Sequence, residues 1–335
     1  SDEEFLSDLT NLESASDGAI AIERLSGREA TGAVPLTRLP QGQTFTARHL
    51  ARSVRATRWT TSFSALTAGR AAERRDYDPL LPGERPVSTA DGKDIFSFPR
   101  GATPGVCLHQ ILETIDFREQ DPQVRVAVVE KALETFHFSS EWRDPVMSMV
   151  RDVLGTALEP DGHVRLVDVP RSRRLDEVEF YYPAKTMTLP DLNALLQRHD
   201  QPRLGRSARD GDLPTPLTQG YVKGFIDLVF EAEGRFYLVD YKSNWLGGSL
   251  EDYAQERLPS AMEEHLYTFQ YLTYAIAVHR MLQQRIPGYD YDRHFGGVRY
   301  LFLRGIRPEA GLQSGIFATR PARGLIEEFD ELLGH

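Results

Sequence analysis

The sequence predicts an α/β fold in which a mixed central β-sheet is flanked by helices. Three patterns predict it. Residues 225–242 alternate β-branched and aromatic positions on either side of a polar, glycine-ended break, the mark of a hairpin. Helical apolar spacing precedes this stretch at 103–115, 122–136 and 140–154, and follows it at 260–284. Further apolar runs at 295–306 and 315–319 then supply strands after helices, the order that layers helices onto a sheet.

Composition sets the bounds. A chain of 335 residues holds one large or two modest domains, and 41% apolar residues with 26% charged are enough for a real core. The single cysteine, Cys107, rules out an internal disulfide and fits a reducing compartment. No apolar stretch approaches the length of a membrane span, and no secretory apolar core stands near Ser1. The opening SDEEFLSDLTNLES reads as an entry into the middle of a longer chain. The net charge of −10 argues against broad, nonspecific attraction to nucleic acid while leaving room for a local basic groove. No repeat, phosphate-binding loop, zinc-type cysteine pairing or dinucleotide fingerprint is present, so ATP hydrolysis is not expected from these residues.

Taken in order, residues 3–12 have the spacing of a short amphipathic helix and 19–25 of a short strand, before a Gly/Pro/Thr-rich stretch through Gln43. Arg48, Arg52, Arg55 and Arg58 make the next segment basic, as solvated arginines or as a contact surface. Residues 57–70 read as a strand and a helix entry, and 71–97 as a mobile loop. Thr103-Pro104 is expected to start a helix carrying Val106, Leu108, Ile111, Leu112 and Ile115, with His109 among them. Residues 164–184 alternate as strand, basic turn and strand; Glu177 and Glu179 share a face of the second strand, while Arg171, Arg173 and Arg174 are read as surface charges. A short helix at 189–200 leads to a flexible stretch at 201–218, whose Arg203, Arg206 and Arg209 are as well explained by a solvated loop as by a DNA channel. After the hairpin comes a polar connection at 243–255, then the long helix with Gln270 and Tyr274 at i, i+4. Two strands and the amphipathic helix LIEEFDELL close the chain.

The chemistry concentrates in the hairpin. Asp227 lies on the outgoing strand, with Asp240 and Lys242 two apart on the return. If residues 231–234 form the loop, Asp227 sits opposite Leu238 and diagonal to Asp240, roughly 7–8 Å away. Two acids and a lysine on an otherwise apolar face suit a divalent ion such as Mg²⁺, which takes carboxylate oxygens, water and phosphate oxygens. A solvated Asp–Lys pair on an edge strand meets the same spacing, and spacing alone does not separate the two.

The wording around those positions is more specific. GFIDLVF followed by LVDYKSNWLG resembles the C-terminal nuclease domain of RecB, the helicase–nuclease subunit of RecBCD, within the PD-(D/E)xK superfamily. FPRGATPGVCLHQILE (98–113), QYLTYAIAVHRML (270–282), YDYDRHFGGVRYLFLRGI (289–306) and GIFATRPARGLIEEFDELL (315–333) extend the resemblance collinearly from about 57 to 333. It implies a restriction-endonuclease-like core at 57–335, with 1–56 as the tail of a preceding helicase region and a linker. It implies metal-dependent hydrolysis of DNA phosphodiesters in a bacterial cytoplasm, serving double-strand break repair and recombination. Asp227 and Asp240 would then bind the metal, His109 would complete the coordination, and the Tyr241 carbonyl would face the ion. Lys242 would assist the attacking water. Glu177 is the preferred match to the family's second-strand acid, with Glu179 close behind, and Gln270 with Tyr274 matches a Q-x-x-x-Y motif expected to bind substrate.

The implied cofactor is Mg²⁺, with Mn²⁺ a usable substitute and Ca²⁺ a non-productive one. The implied partners are DNA, single strands above all, with RecC and RecD subunits, and no membrane. Among rival readings, a catalytically silent nuclease fold docking to a RecC-like partner would be expected to lack an acid or the lysine, and all are present. One cysteine cannot ligate an iron–sulfur cluster, which removes a cluster-bearing nuclease. A DNA-binding module without chemistry would favour a basic chain.

Overall fold

A computed structural model of the chain describes residues 2–16, 21, 59–61, 93–204 and 217–334. The chain divides into two units, Ser1–Val54 and Arg55–His335. In the first, the described helix α1 (Asp2–Ala15) covers the amphipathic segment expected there. Most of the strand expected at 19–25, the arginines at 48–58, the helix entry after 61, the loop through 92, and Arg206 and Arg209 lie outside the described residues.

The second unit is built on one six-stranded mixed sheet. Its strands are β1 (Trp59–Thr61), β2 (Arg174–Met187), β3 (Thr218–Ala232), β4 (Arg235–Lys242), β5 (Phe295–Phe302) and β6 (Ile316–Thr319). The order is β1-β3-β4-β5-β6, with β2 also pairing β3. β3 is antiparallel to β2 and β4 but parallel to β1, and β4 is parallel to β5. β2 runs along one edge of β3 for nearly its whole length. β1 and β4 therefore share the other edge, β1 at Gly220–Val222 and β4 from Leu228 onward.

Helices cover both faces. One layer holds α2 (Ala102–Thr114), α3 (Pro122–Thr135) and α4 (Arg143–Gly155); the other holds α5 (Leu189–Arg198), α6 (Leu258–Glu264), α7 (Tyr267–Arg285) and α8 (Arg323–Leu332). The first layer packs Leu108, Ile111, Leu133 and Met149 onto Leu228, Phe230, Val239 and Tyr241. The second packs Leu192, Leu196, Leu272 and Phe329 onto Ile226, Val229, Leu238 and Tyr300. A strand covered on both faces reads as a continuous apolar run, and all eight residues of β5 are buried. α5 shows the local logic well: the Thr188–Asp191 capping box starts it, and Leu192, Leu195 and Leu196 are fully buried.

Outside the β3–β4 hairpin, the structure departs from the sequence reading in five places. α2 begins at Ala102 with Gly101 as its N-cap, so Thr103 and Pro104 sit inside the first turn. Where a strand was expected from 164, the chain forms a 3-10 turn at Leu166–Asp168 after a single bridge of Arg165 to Ala157, and Val164, Leu166 and Val169 all pack into the helical core ahead of Pro170. Arg174 is buried, its guanidinium 3.6 Å above the Phe117 ring and donating to Ile115 O at 2.8 Å. The helix expected across 260–284 is two helices, broken where Leu266 takes a left-handed φ of 56°. Residues 95–97, assigned to a mobile loop, form a turn capped by Asp94 and held by Arg304, whose guanidinium donates to Ile95 O, Phe98 O and Pro99 O at 2.7–2.9 Å.

Candidate active site

The hairpin turn sets the register of the site. Ala232 pairs with Arg235, so the loop is two residues, Glu233 and Gly234, not the four polar residues expected. Both have positive φ, 52° and 75°, as a type I′ turn requires. The shift puts Asp227 level with Asp240 rather than with Leu238, one step beyond the last ladder pair, Leu228 with Val239. There the strands part. In place of a ladder bond, the Asp227 carboxylate accepts the Tyr241 N–H at 2.7 Å.

β2 contributes to the same level. Its register sets Glu177 opposite Asp227, between the Asp176–Leu228 and Val178–Ile226 pairs. Glu177 has φ 50°, a left-handed conformation that a non-glycine residue rarely takes inside a strand. Alternation inverts here on both strands. Leu228 faces the α2–α4 layer while Ile226 and Val178 face the other, although positions two apart normally share a face. This backbone irregularity sits beside the acids, where strain is most often retained for function. Both glutamates are exposed, and Glu179, the second choice for the family acid, has Lys223 Nζ 2.6 Å from its carboxylate.

Two residue pairs make up the site. On the α2 side, His109 Nδ1 lies 3.6 Å from Asp227 Oδ1, and the imidazole meets the Tyr241 ring edge-on at 5.9 Å. On the α7 side, Lys242 Nζ lies 2.6 Å from Asp240 Oδ2. His109 and Asp227 keep 17% and 15% of their side chains exposed, against 3% for Asp240 and none for Lys242. The first pair is the lip of the site and the second its floor. Burial alone would push the Asp227 carboxyl up. The charge and hydrogen bond of His109, the Lys242 ammonium and the Tyr241 N–H outweigh it and hold the carboxyl below the usual carboxylate range.

Gln270 and Tyr274 lie under Lys242, both buried. Gln270 Oε1 accepts from Lys242 Nζ at 3.0 Å and from the Tyr300 hydroxyl at 2.9 Å, while Gln270 Nε2 donates to the Tyr274 hydroxyl at 3.1 Å. The Tyr267 ring stands 3.9 Å and the Tyr300 ring 5.0 Å from Nζ. Tyr267 also donates to Asn244 Oδ1 at 3.0 Å, and it follows the left-handed Leu266 at the start of α7. Tyr300, Tyr267 and Asn244 were not singled out from the sequence. The available signal was a tyrosine inside an all-buried run, whose hydroxyl must find a partner.

The donors suit a hard divalent ion in kind: one imidazole, two carboxylates and a backbone carbonyl at Tyr241. The ionised Asp227 turned toward His109 supports that fit. Among the described residues, however, no three His, Cys, Asp or Glu side chains converge closely enough to enclose an ion, because Asp240 turns to Lys242. A cavity of about 470 Å³ opens elsewhere, at the turn end of the hairpin among Glu159, Glu233, Arg235 and Arg299. Arg299 is already bonded to Glu159 there at 2.6 Å, and none of the catalytic candidates lines it.

Residues 93–333 match the family model of the PD-(D/E)XK nuclease superfamily. The chain belongs to the PD-(D/E)XK nuclease superfamily. The mixed sheet between helical layers is the architecture expected of that superfamily's restriction-endonuclease-like core. The RecB resemblance is borne out as well. This PD-(D/E)XK chain is 42% identical over 237 residues to the RecBCD enzyme subunit RecB of Escherichia coli, covering 70% of the chain and 19% of that protein. It is 35% identical over 263 residues to RecB of Haemophilus influenzae, covering 77% of the chain and 21% of that protein. With RecB of Mycobacterium tuberculosis it shares 32% over 332 residues, 86% of the chain and 30% of that protein. The chain thus spans about a fifth of the length of the first two relatives.

Proposed function

We propose that this chain is a divalent-metal-dependent deoxyribonuclease, the nuclease part of a RecBCD-type helicase–nuclease acting in double-strand break repair and recombination. The observation that carries the reading is the level at which β3 and β4 part, where Asp227, Asp240 and Lys242 come together with His109. Asp227 and Asp240, with His109 and the Tyr241 carbonyl, would hold Mg²⁺, or Mn²⁺ in its place. Such an ion, when bound, lowers the pKa of a water and offsets charge developing on the scissile phosphate.

The chain's own groups do the rest. Lys242 supplies a fixed positive charge and a donor at Nζ, orienting the attacking water and stabilising negative charge on the phosphate oxygens. Gln270 and Tyr300 fix Nζ from below, so their burial favours positioning of the lysine over contact with substrate. Tyr274 serves the same end by holding the Gln270 amide. Glu177, level with Asp227, adds negative potential at the lip. DNA is the substrate, with single strands preferred because no unwinding machinery is read in these residues, and RecC- and RecD-like subunits are the partners.

The test is cleavage of a labelled single-stranded oligonucleotide in Mg²⁺, Mn²⁺, Ca²⁺ or EDTA, beside intact duplex and an Asp240→Ala variant. Cutting is expected in Mg²⁺ and Mn²⁺, not in Ca²⁺ or EDTA, with single strands ahead of duplex. Asp240→Ala should lower the rate about a hundredfold or more. Folded protein that cuts nothing in any metal would turn the reading to a silent module docking on a RecC-like partner.

A further inference from the structure

In the second unit, the described large apolar side chains left exposed are Val124, Leu175, Tyr181 and Phe225; Tyr181 and Phe225 share one face of β2 and β3 and mark it as a contact surface, whereas Leu175 pairs with Val229 on the opposite face. Moving away from the Glu177–Asp227 level, successive pairs on one face are Glu179 with Phe225, Tyr181 with Lys223, and Pro183 with Tyr221. Positions two apart along a strand repeat about every 6.5–7 Å, so these pairs form a short, evenly stepped track. The Tyr181 and Tyr221 rings stack with centroids 4.7 Å apart and planes within 9°. Tyr181 is 55% exposed and Phe225 47%. Phe225 is two residues from Asp227, and Lys223 Nζ stands 5.4 Å from its ring. Among the described residues, no strand pairs this edge of β3 between Val222 and Leu228, and the track runs along β3 to Asp227.

We propose that the Tyr181–Tyr221–Phe225 face of β2 and β3 is a base-stacking platform that feeds single-stranded nucleic acid to the site at Asp227. The proposal rests on the nuclease reading above and names the part of the substrate that reading leaves open. Leaving aromatic rings in water forgoes the favourable free energy of burying them, and flat π-faced bases recover it. Aromatic residues on a sheet surface stack two or three bases in this way in other folds. Charge points to bases over phosphates. Lys223, the cation among these described pairs, is already bonded to Glu179 at 2.6 Å, and the chain as a whole carries −10. A duplex hides its base faces, so the ligand is a single strand.

The test separates bases from backbone. The full chain, in EDTA so that nothing is cut, is titrated with fluorescently labelled oligo-dT and with an abasic oligonucleotide of the same length. Tyr181→Ala and Phe225→Ala should each weaken oligo-dT binding about tenfold or more while shifting abasic binding less than about twofold. Phe225→Tyr should restore affinity, and both alanine variants should melt with the wild type because the rings are half exposed. Unchanged oligo-dT affinity in both variants would overturn the proposal and leave the face to a protein partner. Equal losses on both ligands, or a steep salt dependence with no dependence on bases, would overturn it too. Wild-type protein that binds through these rings but cuts in no metal would uphold the platform and sink the nuclease reading. Cutting in Mg²⁺ by protein whose variants bind normally would do the reverse.

Discussion

Lys242 is a charged side chain with no exposed surface, and such a group survives only if its neighbours replace water. Asp240 offsets its charge, Gln270 accepts from it, and the faces of Tyr267 and Tyr300 add cation–π attraction. The Gln270 amide has its oxygen committed to Lys242 and Tyr300 and its nitrogen to Tyr274, so it has one orientation only. Gln270→Leu should therefore lower kcat about a hundredfold with KM changed less than about threefold, because a misplaced group costs rate rather than binding. It should also cost about 1–3 kcal/mol of stability by leaving buried partners short of a bond. Steady-state kinetics beside a melting curve checks both. At the lip, the loss of activity from Glu177→Gln should exceed that from Glu179→Gln by about tenfold, since only Glu177 stands level with Asp227. The acids and the lysine were singled out by residue type on a hairpin together with the family resemblance, because their spacing alone also fits a solvated Asp–Lys pair. Tyr300 was not. It sits in a strand whose every position is buried, so its hydroxyl is the sole mark of it, and the pattern does not say which partner that hydroxyl meets.

Among the elements, the β3–β4 hairpin shows how one turn decides a site. A four-residue loop would have left Asp227 beside Leu238; the two-residue loop brings it level with Asp240. Glu233 holds the left-handed conformation that Asn accepts at lower cost, so Glu233→Asn should add about 0.5–1 kcal/mol and raise Tm by roughly 1–3 °C. Activity should stay at the wild-type level, because the turn lies at the far end of the hairpin from the acids. Gly224 plays a different part. A Cβ there would come within 2.5 Å of the Phe180 ring, which packs edge-on against Tyr274 with centroids 5.4 Å apart, so the glycine lets β2, β3 and α7 close on the lysine network. The sheet and most helices could be read from periodicity. The break at Leu266 could not, since a leucine in the left-handed region carries no glycine or proline to announce it.

Over the whole molecule, the two buried layers place many ionisable groups out of water. Burial pushes the Cys107 thiol up to about 12, and the Tyr237 and Tyr271 phenols to about 12 as well. In an unfolded chain the thiol titrates near 8.5 and phenols near 10, so above those values the unfolded state sheds protons that the folded state keeps. The stability from these groups is complete below about pH 8.5 and is lost as pH climbs toward 12, by about 1.4 kcal/mol per unit for each group titrating only when unfolded. Tm should accordingly hold between about pH 7 and 8.5 and fall with increasing slope above 10. Thiol alkylation gives an independent check. Cys107 should resist iodoacetamide in native protein and react fully in denaturant, and modification at the native rate of an exposed thiol would contradict its burial.

The order of the strands in space has one more consequence. β4 is central, and its partner on the lysine side is β5, which enters only after α7 has crossed the sheet. His109, Asp227, Asp240 and Lys242 all come earlier in the chain than the residues that fix the lysine, Gln270 and Tyr300, and earlier than Arg304, which donates to Ser243 O at 3.2 Å. A ribosome-bound chain extended to residue 290 would thus hold every candidate ligand and none of β5. On the nuclease reading proposed above, Lys242 would gain its bond to the Gln270–Tyr300 pair only once β5 has been made.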